Sequence, residues 1–186
     1  MKHEKPDKPD KQRASTLAAL LEEKPKRGRP ERAIKRQNVY VALSAEQKAL
    51  MKRLAGQLPD GLGRADLPDL AVSVLAARLE ALRRAVAGRN REIPEGITDM
   101  ASLFLLWDLA LPPDDPERKW TSIRLSPQPA IELGRAHGTL NAVFGANRSQ
   151  TFELALLLLA QFLEDYPTEA GLKLLQLREK ILDIYL

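Results

Sequence analysis

The sequence predicts a mainly α-helical protein carrying one two-stranded antiparallel β-ribbon, assembled from two copies of a single strand-helix-helix unit. Three observations predict it. The first is an internal repeat: Gly61 to Glu80 aligns without gaps on Gly145 to Glu164, an offset of 84 residues, with eight of the twenty pairs identical, among them Gly61/Gly145, Arg64/Arg148, Leu70/Leu154 and Leu75/Leu159. The second is a short alternating segment ending in Leu-Ser upstream of each copy, Asn38-Val-Tyr-Val-Ala-Leu-Ser44 and Trp120-Thr-Ser-Ile-Arg-Leu-Ser126. The third is physical. One short strand has no hydrogen-bonding neighbour and the two helices behind it bury one face each, so a single unit is unstable alone. Two copies pair their strands into a ribbon and interlock four helices beneath it, in a pseudo-twofold arrangement.

Residues 1–37 hold twelve Lys/Arg against six Asp/Glu, a balance of +6 within a net charge of +4, so the other 149 residues total −2. This segment has scattered prolines and one apolar cluster, Leu17 to Leu21, too little burial to offset ordering entropy. It is expected to be a disordered basic arm with one candidate helix, Ser15 to Glu23. A basic arm on a slightly acidic body points to a polyanionic partner.

The first unit, 38–87, opens on a strand whose Val39, Val41 and Leu43 share one side and whose Asn38, Tyr40 and Ala42 share the other. Ser44-Ala-Glu-Gln47 reads as a capping box that opens a helix through about Leu58, with Leu50, Leu54 and Leu58 on one stripe. Pro59 to Gly63 breaks it, and a second helix runs from about Asp66 to Val86 with Leu67, Leu70, Ala71, Val74, Leu75, Leu79 and Leu82 at helical spacing. The linker, 88–119, is apolar enough from Thr98 to Leu111 for a helix packed on the body, and its Pro-rich end delivers extended chain into the next strand. In the second unit, 120–166, Thr121, Ile123 and Leu125 point inward and Trp120, Ser122 and Arg124 outward. Ser126 and Pro127 suit a helix start, a helix to about Phe144 ends at Gly145, and another runs from Asn147 to about Asp165. A final helix, within 167–186 and from Thr168 to Leu186, has Leu172, Leu175, Ile181 and Ile184 available for burial.

Composition narrows the function. At 186 residues the chain can bury one ordinary core or two small ones that need each other. The absence of cysteine excludes disulfides, thiolate metal sites and cysteine nucleophiles. The longest apolar run, Leu154 to Ala160, is far below the roughly 18 residues that span a bilayer, and Met1 to Asp10 does not read as a signal peptide. A cytoplasmic, nucleoid-associated protein with no membrane partner is expected. Histidine occurs only as His3 and His137, no glycine-rich phosphate loop follows a strand, and Asp114-Asp115 reads as a solvated linker pair. No catalytic residue, metal or cofactor is expected, so the chain is read as a non-enzyme. Trp107 reads as core.

These signals together resemble the ribbon-helix-helix (Arc/MetJ/CopG) superfamily of DNA-binding proteins. The second unit is the clearer match: Gly145-Ala-Asn-Arg-Ser-Gln-Thr-Phe-Glu-Leu-Ala is similar to the family's Gly-x-Ser-x-Ser/Asn stretch between helices. The resemblance covers roughly 38–86 and 120–165. It implies a tandem single-chain pseudo-dimer, in which a chain-to-chain dimer is not required, that binds double-stranded DNA. A two-stranded ribbon fits the major groove, so the outward Asn38, Tyr40, Ala42, Trp120, Ser122 and Arg124 are the candidate base readers. Asn38 suits adenine, Arg124 guanine and Ala42 a thymine methyl, and the unequal strands imply an asymmetric target. The family also anchors phosphates at the start of its second helix, which assigns Asn147, Arg148 and Ser149 in the second unit. Gly63, Arg64 and Ala65 are the weaker equivalents in the first, where Pro68 shifts the helix start toward the negative Asp66.

Arg27-Gly28-Arg29-Pro30 resembles an AT-hook core, whose glycine lets the backbone enter an A·T minor groove while the arginines follow its negative potential. The leading reading is thus a sequence-specific transcriptional regulator. A partition or conjugation accessory protein, with Ser15 to Glu23 docking a motor ATPase, is the second reading. An antitoxin-type module, whose C-terminal helix binds a toxin, is the third. A degenerate pseudo-dimer that binds no DNA is the fourth. Whether neighbouring chains bind DNA cooperatively is left open.

Overall fold

The computed structural model of the chain describes residues 35–88, 93–113, 117–167 and 171–186. The Arg27 to Pro30 hook, the Ser15 to Glu23 segment, His3 and Asp114-Asp115 lie outside the described residues. Among the described residues two strands and six helices follow in the order β1 (Gln37–Leu43), α1 (Ala45–Ala55), α2 (Leu67–Ala85), α3 (Met100–Leu106), β2 (Lys119–Leu125), α4 (Pro127–Phe144), α5 (Arg148–Asp165) and α6 (Leu174–Tyr185). The described chain is mainly α-helical with one two-stranded antiparallel sheet, as expected.

β1 and β2 pair with Tyr40 opposite Ser122 at the centre, Asn38 opposite Arg124 toward one end and Ala42 opposite Trp120 toward the other. Alternation then puts Val41, Leu43, Ile123 and Leu125 on the buried side, each 4% exposed or less. Beneath them α2 and α5 form the central helix pair. Leu67, Leu70, Ala71, Val74 and Leu75 of α2 meet Phe152, Leu154, Ala155, Leu158, Leu159 and Phe162 of α5 in one continuous core. Each buried leucine or phenylalanine contributes about 1.5–3 kcal/mol of transfer free energy. α1 adds Met51 and Leu54, and α4 adds Leu133, Ala136 and Leu140.

Local chemistry sets the boundaries. Ser44 and Gln47 exchange both capping-box bonds, 3.1 Å and 2.9 Å, and start α1. α1 stops at Ala55, ahead of the predicted Leu58, where the Gly56 N–H closes on Arg53 and Leu54 carbonyls. α4 ends at Gly145, whose φ of 69° lets its N–H bond to the Asn141 carbonyl at 2.8 Å while Ala146 bonds to that of Leu140. A β-carbon would be strained in that left-handed conformation.

Three further expectations need correction. The linker helix is α3 only, seven residues rather than Thr98 to Leu111. An Asp99/Ser102 capping box opens it and Asp108, with φ 54°, ends it. So short a helix turns one face inward: Leu103, Phe104 and Trp107 are buried, whereas Leu105, Leu106 and Leu111 are exposed. The last helix begins at Leu174 rather than Thr168, after Gly171 at φ 83°. That phase buries Leu177 and Ile181 and leaves Leu175 67% exposed. Arg178 fastens α6 by donating to Ser73 Oγ at 2.8 Å and to Glu132 at 2.9 Å. Arg78 lies 4.5 Å from the Tyr185 ring centroid, and burial pushes the Tyr185 phenol pKa up. Finally, Ser126 stands at the N-cap of α4 but makes no side-chain cap bond, because its hydroxyl donates to Asp69 instead. No helix of the described residues is long and apolar enough to cross a membrane.

Candidate nucleic-acid interface

The outer face of the ribbon carries the six alternating side chains expected to point outward. Asn38, Tyr40, Trp120, Ser122 and Arg124 are exposed and Ala42 is half-buried. Tyr40 and Trp120 are large apolar groups held in solvent, 61% and 74% exposed. The register makes them diagonal neighbours across the strands, within reach of one another for aromatic side chains. The face therefore grades from amide and guanidinium at the Asn38/Arg124 end, through phenol and hydroxyl, to methyl and indole at the Ala42/Trp120 end. Beyond the latter, Lys119 pairs with Glu117 at 3.2 Å on the surface.

Below each end lies a carboxylate-arginine lock that sequence reading missed. Asp69, on α2 and fully buried, accepts from the Ser126 backbone N–H at 2.9 Å and from the Ser126 hydroxyl at 2.6 Å. Arg36, which immediately precedes β1, lies 3.2 Å from Asp69 Oδ2, pairs with Asp66 and donates to the Ala65 carbonyl. At the other end Glu153, on α5 and 5% exposed, accepts from the Gln47 side-chain amide and, at 2.9 Å, from Arg118, which immediately precedes β2. Asp69 and Glu153 differ by the repeat offset of 84 residues and were aligned with each other, a charge facing a charge in an otherwise apolar stretch. That was the available signal. Each carboxylate holds the arginine before its own unit's strand and reaches across to a helix start in the other unit. The shorter Asp69 meets the cap residue itself, whereas the longer Glu153 meets a side chain one turn into α1.

The two helix starts beside the ribbon differ. Asn147 caps α5, accepting from Gln150 N–H at 3.0 Å while Gln150 accepts from Asn147 N–H at 2.9 Å. Arg148 is exposed. Ser149 is buried, and its hydroxyl oxygen accepts the Ala42 N–H at 2.8 Å, tying α5 to the outer edge of β1. Its side chain is thus engaged with the ribbon rather than open at the helix start. α2 starts on Asp66, which makes no side-chain cap bond to the helix and instead accepts from Gly63 N–H at 2.9 Å and from Arg36. Pro68 in the first turn has no N–H to offer. Arg64 is exposed like Arg148.

Among the described residues no group of His, Asp and Glu could hold a metal ion, and His137 is half-buried in α4. Away from the ribbon, α2, α4, α6 and residues 93–98 frame an open groove of about 1340 Å³. Comparison of the chain with protein families, with curated proteins and with solved structures finds no match in any of the three.

Proposed function

We propose that this chain is a sequence-specific double-stranded DNA-binding protein of the ribbon-helix-helix type, in tandem single-chain form, acting as a transcriptional regulator at the nucleoid. The observation that carries the reading is the register of β1 on β2. It aligns three pairs of outward side chains on one open face, a geometry that a major groove admits and whose chemistry suits base edges. Pairing within one chain makes a pseudo-twofold reader that needs no second subunit, and the two crossed locks support that arrangement. Arg148 beside the α5 start supports phosphate anchoring, and the Arg27-Gly28-Arg29-Pro30 core supports an A·T minor-groove contact. A partition or conjugation role would use the same surface.

The test is an unbiased selection of bound duplexes at physiological salt with the wild type, Arg124→Ala, and Arg27→Ala/Arg29→Ala. The expected result is a major-groove motif beside an A·T-rich flank. Arg124→Ala relaxes one position at about 1–3 kcal/mol, and the hook variant loses only the flank. Failure to enrich any sequence, with binding that fades uniformly with salt, overturns base reading. That outcome favours a second reading, a protein-interaction module. One observation supports it: Val143, Leu175, Leu182 and Leu186 are exposed along the groove on α4 and α6.

A further inference from the structure

Resting on the DNA-binding reading, we infer that the two ends of the ribbon divide the labour, the Asn38/Arg124 end reading bases and the Ala42/Trp120 end anchoring the backbone. Only the register decides this, because each strand alone carries a mixture. Asn38 lies on β1 and Arg124 on β2, yet they sit directly opposite one another. An amide that can bond adenine bidentately and a guanidinium that can bond guanine bidentately therefore fall on adjoining base pairs. Four residues along β1, roughly 13 Å or about four base-pair steps away, Ala42 faces Trp120. Neither of those side chains offers a bidentate pattern. A methyl and an indole contact thymine methyls or the edge of the stack and discriminate weakly.

The helix starts reverse this ranking. Ser149 ties the α5 start to Ala42, so the neutral amide-capped start with exposed Arg148 flanks the apolar end. Arg36 and Ser126 tie the α2 start to the polar end, and there Asp66 and Asp69 place two carboxylates around one arginine. A phosphate approaching α2 meets the Asp66 carboxylate and a proline without an N–H; one approaching α5 meets neither. The end that reads best is thus the end that clamps worst. The target has one information-rich half, with guanine and adenine contacts, and one half that tolerates substitution but is gripped through its phosphates.

The experiment takes the full chain and its best selected duplex, substitutes every base pair in turn, and measures affinity and salt dependence for Asn38→Ala, Arg124→Ala, Arg148→Gln and Arg64→Gln. All four side chains are exposed, and unchanged thermal melting verifies the fold. Expected are losses of roughly 10- to 100-fold for Asn38→Ala and Arg124→Ala, relaxing adjacent positions in the same half. Arg148→Gln weakens all duplexes alike and reduces the slope of log affinity against log salt by roughly 0.9, with Arg64→Gln changing it far less. The division of labour is overturned if Asn38→Ala and Arg124→Ala relax opposite halves, if both halves carry equal information, or if Arg64→Gln flattens the slope as much as Arg148→Gln. If the wild type selects no motif, the base-reading proposal itself falls, and the two failures are thereby told apart.

Discussion

The starts of α2 and α5 derive from aligned sequence, Gly61 onward and Gly145 onward, yet they end in opposite electrostatic states. At α5 the orphan N–H groups meet neutral partners, Asn147 and Gln150 capping each other. At α2 the chain's own carboxylates crowd the first turn, Asp66 taken up by Arg36 and Gly63, and Asp69 by Ser126. The arginines follow suit. Arg36 has two carboxylates and the Ala65 carbonyl, whereas Arg118 has Glu153 alone and keeps one buried terminal nitrogen without a partner among the described residues. A repeated unit can therefore spend the same helix start in two ways. One copy crowds it with carboxylates tied into a buried network that leaves the helix without a side-chain cap; the other closes it with a neutral capping box that adds no negative charge.

Breaking that contrast should produce effects of graded size. The largest is Asp69→Ala, which strands the Ser126 N–H and hydroxyl and half-frees Arg36 in a buried site. Urea unfolding should register a loss of about 3–5 kcal/mol. Glu153→Ala should cost less, because Arg118 keeps 23% of its side chain exposed and water can replace the carboxylate. Equal losses would erase the difference between the locks. Next comes Ser149→Ala, which leaves the Ala42 N–H at the ribbon edge without its acceptor. Its expected cost is about 1–3 kcal/mol. Amide exchange at Ala42 should accelerate with it, and unchanged exchange would mean that the tether contributes nothing. Asn147→Ala removes the α5 cap for about 1 kcal/mol, read as a drop in melting temperature. The smallest effect sharpens the comparison: Asp66→Asn removes one of the two carboxylate charges at the α2 start and should tighten binding to any duplex by roughly two- to fivefold at low salt. Weaker or unchanged binding would indicate that no phosphate approaches that helix start.

Much of the backbone plan was legible in the chain because it rests on short-range rules. Alternation at Val39, Val41 and Leu43 and at Ile123 and Leu125 named the buried side of both strands, and their partners Tyr40 and Trp120 are indeed exposed. Ser44/Gln47 marked the α1 start, and Gly145 the α4 end. Two of the misread boundaries share a cause. α3 stops while apolar residues continue to Leu111, and α6 starts only after Gly171; left-handed backbone at Asp108 and Gly171 sets those limits. Leu175 looked like core and is exposed because a helix beginning at Leu174 turns Leu177 and Ile181 inward.

The outward residues of the candidate interface were likewise legible, each from its own strand. Their grouping was not. Asn38 meets Arg124 and Ala42 meets Trp120 only through a pairing register that depends on how β2 returns from a long connection, information that no local window holds. The locks were hidden for the same reason. Along the chain Arg36 belongs to the basic arm and Asp69 to a helix more than thirty residues on, and only folding puts them 3.2 Å apart. By itself the sequence determined which segments hold strands and helices and which side of both strands is apolar, because hydrogen bonding and burial repeat with the period of the backbone. Which charges face each other, and which end of the ribbon each outward side chain occupies, was decided by tertiary structure alone, since those contacts join residues 30 to 107 positions apart whose proximity exists only once the core has closed.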